Sequence, residues 1–401
     1  MSSGGFSGAR LGRMRDVMAS HVERDVVPSI ITLVSRRGGV HVDAIGTKTF
    51  GGSDPMLRDT IFRIASVTKP IVAAAAMILV EECALRLDEP VDPWLPELAD
   101  RRVLRAIDGP LNDTVPANRP ITLRDLLTFR LGIGAVMVFP PRYPIQQAMA
   151  EAGVAPGPIL PAHAPDELMK RFGSLPLVHQ PGERWLYNSG SDILAVLISR
   201  VTGTSLGEFL RERIFAPLGM NDTAFSVPAS KLDRLPSSYW TNFETGEFEV
   251  FDGVDDSRWA SPPAFESGAG GLVSTVDDLL VFGQMMLNGG KYEGERILSR
   301  LSVELMTTDH ISSEQKAVSG FFPGFWDNHG WGFGVSVVTR RDDLAATPGR
   351  YGWDGGYGTS WYVDPKEEMV GILLTQRVWE ATGAPEVLLD FWTSAYAAID
   401  D

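Results

Sequence analysis

Cysteine is nearly absent from the chain. Cys83 stands alone among 401 residues, so no internal disulfide forms and a disulfide-stapled secreted scaffold is excluded. Long apolar runs are missing too. The longest, "IVAAAAMILV" from Ile71 to Val80, reaches roughly half of the ~20 residues that cross a bilayer, and it reads as a buried helix. The opening "MSSGGFSGARLGRMRDVM" lacks the apolar core of a secretory signal, and the expectation is a cytoplasmic protein with no membrane partner. Positive charge is scarce: 36 Lys and Arg face 51 Asp and Glu, for a net charge of −15. With no basic run carrying interleaved aromatics, nucleic acid is not an expected partner. The six histidines, at 21, 41, 163, 179, 310 and 329, are scattered. None pairs with another at ligand spacing, so no metal is expected. Nor does any phosphate-cradling or dinucleotide glycine motif stand in a strand-helix context, so no cofactor is expected either.

What remains is a globular chain, 44% hydrophobic and 22% charged, able to bury a large core. "LGRMRDVMASHV" spaces Leu11, Met14, Val17 and Met18 as a helix does, and "SIITLVSRRGGVHVDAIG" gives two β-branched runs around a tight turn at Arg36 to Gly39. A helix containing Ser66 follows, to about Leu87. From Asp88 the texture turns to prolines and helical patterns, among them "ITLRDLLTF" capped at Thr122. Strand patterns return in "WGFGVSVVT", "TSWYVDP" and "MVGILLTQ" before a last helix in "VLLDFWTSAYAAI". This predicts an α+β fold: a largely antiparallel sheet built from both chain ends, residues 1–87 and 266–401, flanked by helices, with a mainly helical region, 88–265, inserted between. A cleft is expected where the two parts meet.

Three segments carry candidate chemistry. In "RIASVTKP", Ser66 and Lys69 lie one helical turn apart at the start of the apolar run, so the amine reaches the hydroxyl. Burial at a helix N-terminus lowers a lysine pKa, and the Ser66 N–H is free to face an oxyanion. A second S-x-x-K, Ser313 to Lys316, sits in polar sequence with no apolar helix after it and reads as surface. In "ERWLYNSGSDILAVLI", Tyr187 and Ser189 precede another apolar helix. Either they present a phenol and a hydroxyl to a cleft, the phenol titrating low enough between cations to take the serine proton, or Tyr187 is a buried aromatic and Ser189 or Ser191 a cap. In "YGWDGGYGTSWYVDP", glycines cluster before a strand. They form either a close backbone approach that offers the Gly356 N–H to an oxyanion, or an ordinary turn.

The three together, in this order, resemble the serine β-lactamase and penicillin-binding-protein superfamily, most of all class C β-lactamases and family VIII carboxylesterases. The resemblance runs from about Arg10 to the last helix and includes "GGLVSTVDDLLVFGQMMLNGG". It implies the β-lactamase/transpeptidase-like fold, with Ser66 as acyl-forming nucleophile, Lys69 as its proton partner and Tyr187 as general base or acid. It implies an oxyanion hole from the Ser66 and Gly356 N–H groups, and substrate contacts at Ser189, Trp353, Asp354 and Gly355. Where the lactamases and D,D-peptidases carry Lys-Thr-Gly, this chain has Trp353, Asp354 and Gly355. The cation that would hold a carboxylate is gone, and Asp354 repels an anion if it faces the cleft. The only near-match, Lys48 to Phe50, lies out of order. Tyr-x-Ser in place of Tyr-x-Asn also resembles the esterases.

The expectation is therefore a serine carboxylesterase acting on small neutral esters. A β-lactamase, a D-amino-acid peptide hydrolase, an acyltransferase and a non-catalytic acyl-binding module are the alternatives. "GTSLG", Gly203 to Gly207, mimics a nucleophile elbow but follows a helix, so Ser205 is expected to cap, in a box with Glu208. Of the C-terminal aromatics, Trp353 is expected at the cleft, and "FPPRYPIQQAM", Phe139 to Met149, either walls the entrance or forms an exposed loop.

Overall fold

A computed structural model describes residues 4–242, 244–379 and 384–401. Seven antiparallel strands form one sheet in the order His329–Trp331, Ser336–Val338, Tyr351–Gly355, Thr359–Asp364, Met369–Thr375, Ser29–Arg36, Gly39–Gly46. The two chain ends meet where Ser29–Arg36 pairs with Met369–Thr375, from Ile30 opposite Thr375 to Arg36 opposite Met369. Arg37 and Gly38 both hold positive φ, +45° and +79°, as the tight hairpin between the first two strands requires.

Strand alternation sorts the side chains into two layers. Ile30, Val34 and Leu373 pack with Met14, Met18 and Phe391 of the terminal helices Gly8–Glu23 and Glu386–Ala397. Ile31, Leu33, Ile372 and Leu374 face the other way, into a core shared with helices Thr68–Glu81 and Val276–Leu287. The Thr68–Glu81 helix is apolar on every side and every residue from Thr68 to Leu79 is buried, as a central core helix should be. It ends at Glu81, short of Leu87: the chain reverses at Cys83, φ +59°, where the Ala84 and Leu85 N–H groups both return to the Leu79 carbonyl.

The middle of the chain carries helices Leu123–Leu127, Pro144–Glu151, Pro165–Ser174 and Ser189–Thr202, plus two small strand pairs, Arg102–Leu104 with Thr114–Pro116 and Ser238–Thr241 with Phe248–Asp252. Thr122 caps its helix in a full capping box with Asp125. Ser205 caps the helix Leu206–Leu210, but Glu208 does not close the box; Glu266 instead takes the Gly207 N–H at 2.7 Å. The core is continuous from Ile31 through Leu126 and Ile198 to Leu374, so sheet and middle region share one interior.

Candidate active site

Ser66 lies in a single 3-10 turn, Ala65–Val67, that runs straight into the Thr68–Glu81 helix. Ala65 before it holds φ +45°, a backbone state that costs an alanine about 1–3 kcal/mol and survives only where packing enforces it. Part of that packing comes from Gly355. A Cβ there would meet the Ile64 carbonyl and approach the Ala65 Cβ to 3.3 Å, so only a glycine lets the strand end lie against the serine turn.

Lys69 is 1% exposed. Its Nζ is 2.8 Å from Ser66 Oγ, donates to the Ala269 carbonyl at 2.6 Å, and sits 4.6 Å from the centre of the Tyr187 ring. Burial drives its pKa from lysine's usual 10.5 down to about 7, against the pull of the Asp192 charge. A large share of the amine is thus unprotonated near neutrality, the form that accepts a hydroxyl proton.

Asn188, at φ +85° and ψ −63°, centres a positive-φ γ-turn in which the Ser189 N–H donates to the Tyr187 carbonyl at 3.3 Å. The Tyr187 hydroxyl oxygen accepts the Trp353 indole N–H at 2.6 Å and has Ser66 as a hydrogen-bond neighbour. Its ionisation runs opposite to the expectation of a low-titrating phenol. Burial pushes it above the usual 10, against the hydrogen bonds from Ser66 and Trp353, and Asp354 adds to the rise. The ring is packed among Phe129, Trp185, Phe321, Trp331 and Trp353, and this desolvation outweighs the two hydrogen bonds. Tyr187 keeps its proton, and Lys69 is the group poised to take one.

Tyr351–Gly355, read from the sequence as a glycine cluster ahead of a strand, is itself a strand, paired on one side with Thr359–Asp364 but on the other only through Tyr351 and Gly352. Gly356 follows its end. Ser66 and Gly356 both border the main cavity, and among the described residues neither N–H donates to a backbone acceptor. Trp353 and Asp354 both border the cavity: the Trp353 indole reaches Tyr187, and the Asp354 carboxylate accepts from Ser360 Oγ and Tyr362 Oη at 2.6 and 3.2 Å. Burial raises the Asp354 pKa to about 6.

The cavity holds about 500 Å³. Phe321, Phe322, Phe325, Trp353 and Val154 to Pro161 supply much of its wall; among the described residues no lysine or arginine side chain lies on it. From the entrance segment expected at Phe139 to Met149, only Phe139 takes part, and Pro144–Glu151 is a helix. Ser189 is not where the expectation set it: it is 1% exposed, absent from the cavity wall, and its Oγ has no hydrogen-bond partner. Starting the helix at Ser189 turns its side chain inward. Gly355 also stays off the wall and acts as a spacer. Ser313 to Lys316 is a short helix, its Lys316 paired with Asp309 at 2.5 Å.

Sequence reasoning missed Asp192, buried beside Lys69 on the cavity wall, where its Oδ1 accepts from Ser267 Oγ at 2.6 Å and the Ala269 N–H at 3.1 Å. Its signal was a lone carboxylate inside the apolar helical pattern "SDILAVLI". It also missed the Val154 to Pro161 wall.

The beta-lactamase family model matches residues 14–387. An uncharacterised protein of Mycobacterium tuberculosis is 38% identical over 355 residues, 86% of this chain and 85% of its own. Esterase EstB of Burkholderia gladioli is 30% identical over 385 residues, 90% of this chain and 89% of its own. Among solved structures, EstCE1, described as a hydrolase with promiscuous acyltransferase activity, superposes with a TM-score of 0.79 at 24% identity, covering 96% of this chain and 98% of its own. The chain belongs to the beta-lactamase family, within the serine β-lactamase and penicillin-binding-protein superfamily of serine hydrolases, and has its β-lactamase/transpeptidase-like fold.

Proposed function

We propose that the protein is a carboxylesterase that forms an acyl-Ser66 intermediate with small neutral esters. Ser66 Oγ attacks the ester carbonyl while its proton passes to the Lys69 amine. The Ser66 and Gly356 N–H groups hold the oxyanion. Collapse expels the alkoxide, which takes the proton back from Lys69 through the Tyr187 hydroxyl, and water then cleaves the acyl-enzyme by the same path.

One observation carries the reading: a buried Lys69–Ser66 contact of 2.8 Å opens onto a mostly apolar cavity whose wall, among the described residues, has no lysine or arginine side chain but does carry Asp192 and Asp354. A carboxylate-bearing lactam or peptide terminus has no partner there, whereas a neutral ester needs none. The likeness to EstB supports it. Ser66→Ala is expected to lower kcat/KM for p-nitrophenyl butyrate by about 10³-fold or more while leaving the fold intact. Retained turnover would refute the assignment, and faster turnover of nitrocefin than of the ester would move the function to β-lactam hydrolysis.

A further inference from the structure

We infer that Asp192 is a positioning residue for the nucleophile's base: its carboxylate clamps the Ser267–Ala269 segment, and that segment's carbonyl holds the Lys69 amine against Ser66. The inference rests on the reading of Lys69 as base given above. Asp192 occupies the first turn of the Ser189–Thr202 helix and is 3% exposed. One of its oxygens receives two donors from the facing segment, Ser267 Oγ at 2.6 Å and the Ala269 N–H at 3.1 Å. The carbonyl of that same Ala269 accepts from Lys69 Nζ at 2.6 Å. Three segments distant in sequence therefore meet through one carboxylate, and the amine's place above Tyr187 depends on it.

The close approach is built in. A Cβ on Gly268 would press on the Ser191 carbonyl and reach the Ala195 side chain at 3.1 Å, so a glycine is what lets the segment lie flat on the helix bearing Asp192.

The second consequence is electrostatic. Around Lys69 stand the Ser66 hydroxyl, the Tyr187 ring, the Ala269 carbonyl and the Asp192 carboxylate. Asp354, also on the cavity wall, acts on Tyr187. Tyr187 is held protonated, so Asp192 is the acidic group whose charge acts on the amine. It opposes the desolvation that lowers Lys69, while burial raises its own pKa and Ser267 and Ala269 restrain that rise. The carboxylate thus sets how basic Lys69 stays once buried.

The test reads Lys69 directly, so that it does not depend on which ester is cleaved. In the Ser66→Ala background, the side-chain amine is titrated by ¹³C NMR on lysine-labelled protein, with Lys69→Arg assigning the resonance. Asp192→Asn keeps an oxygen acceptor but removes the charge. Its Lys69 pKa is expected to fall by on the order of one pH unit, and in the Ser66 enzyme the acid limb of kcat/KM should move down equally. Should Asp192→Asn fail to fold, Ser267→Ala carries the test, with a smaller fall in the same direction, because loss of that donor favours protonated Asp192. An unmoved Lys69 pKa in the folded variant overturns the inference even if Ser66 and Lys69 remain essential. Loss of ester turnover on Lys69→Ala upholds the base assignment, and retained turnover there would sink that assignment rather than the clamp.

Discussion

Replacing Lys69 with methionine should abolish acylation and stabilise the fold, two effects that a merely structural lysine would not combine. Methionine has nearly the shape of the lysine stem and no charge. The native state holds a lysine whose pKa has dropped from 10.5 to about 7. At roughly 1.4 kcal/mol per pH unit, that interval amounts to about 5 kcal/mol lost from stability where both states carry the proton. The sign follows from linkage: between about pH 7 and 10.5 the unfolded chain binds the proton and the native state does not, so stability rises with pH there. The loss is complete below 7 and gone above 10.5. Against this, Lys69→Met leaves the Ala269 carbonyl without its donor, costing about 1–3 kcal/mol; the Asp192 attraction is already contained in the lowered pKa. A net gain of about 3 kcal/mol at pH 7 is the expectation. Equilibrium chemical unfolding of both proteins at pH 7 and pH 10 measures it, the methionine variant's advantage disappearing or reversing at pH 10. A variant less stable than the parent at pH 7, or an advantage that does not shrink by pH 10, refutes the argument, as does ester turnover within about tenfold of the parent.

Three further outcomes follow from the site. Because Lys69 must be unprotonated to act and its pKa is about 7, kcat/KM for a neutral ester should fall about hundredfold between the plateau and pH 5; a flat profile across that range contradicts the base assignment. Trp353→Phe removes the indole N–H that holds the Tyr187 hydroxyl oxygen and should lower kcat about tenfold with little change in thermal stability, read by steady-state kinetics and calorimetry. Gly355→Ala places a methyl against the Ile64 carbonyl and Thr359 Oγ1; loss of fluorophosphonate labelling at Ser66 together with a lowered melting temperature is expected, and normal labelling would show that the strand end can move away freely.

The sheet was readable because strand and helix periods differ: Ile30 to Arg36 and Met369 to Thr375 are β-branched or leucine-rich runs bounded by glycine and charge. Ser66, Lys69 and Trp353 were readable because each stands beside a pattern break, a helix start or a glycine cluster. The proton state of Tyr187 was not. It depends on Phe129, Phe321 and Trp331, whose approach no local pattern encodes. Ser189 failed for a related reason: a motif gives spacing along the chain, but the start of the Ser189–Thr202 helix decides which way its side chain points. The Val154 to Pro161 wall has neither period, so nothing marked it before the fold was seen.

Strain at the site has a common pattern. Ala65 and Asn188, the residues adjoining Ser66 and Tyr187, both hold positive φ, at +45° and +85°, which side chains other than glycine adopt only at a cost. Each is pinned by a stretch of chain distant in sequence. Gly355 lies against Ala65, and a Cβ on Gly134 would approach the Tyr187 carbonyl to 2.7 Å, so the 134 backbone rests directly on the Tyr187 turn. The serine turn therefore cannot relax without displacing the strand that ends at Gly356, and the tyrosine turn cannot relax without displacing the chain at Gly134. Ser66, Tyr187 and the strand end at Gly355 are fixed by mutual contact rather than by any one element's preference. That is why a substitution at a spacer such as Gly355, which touches no substrate, is expected to act on chemistry as well as on stability.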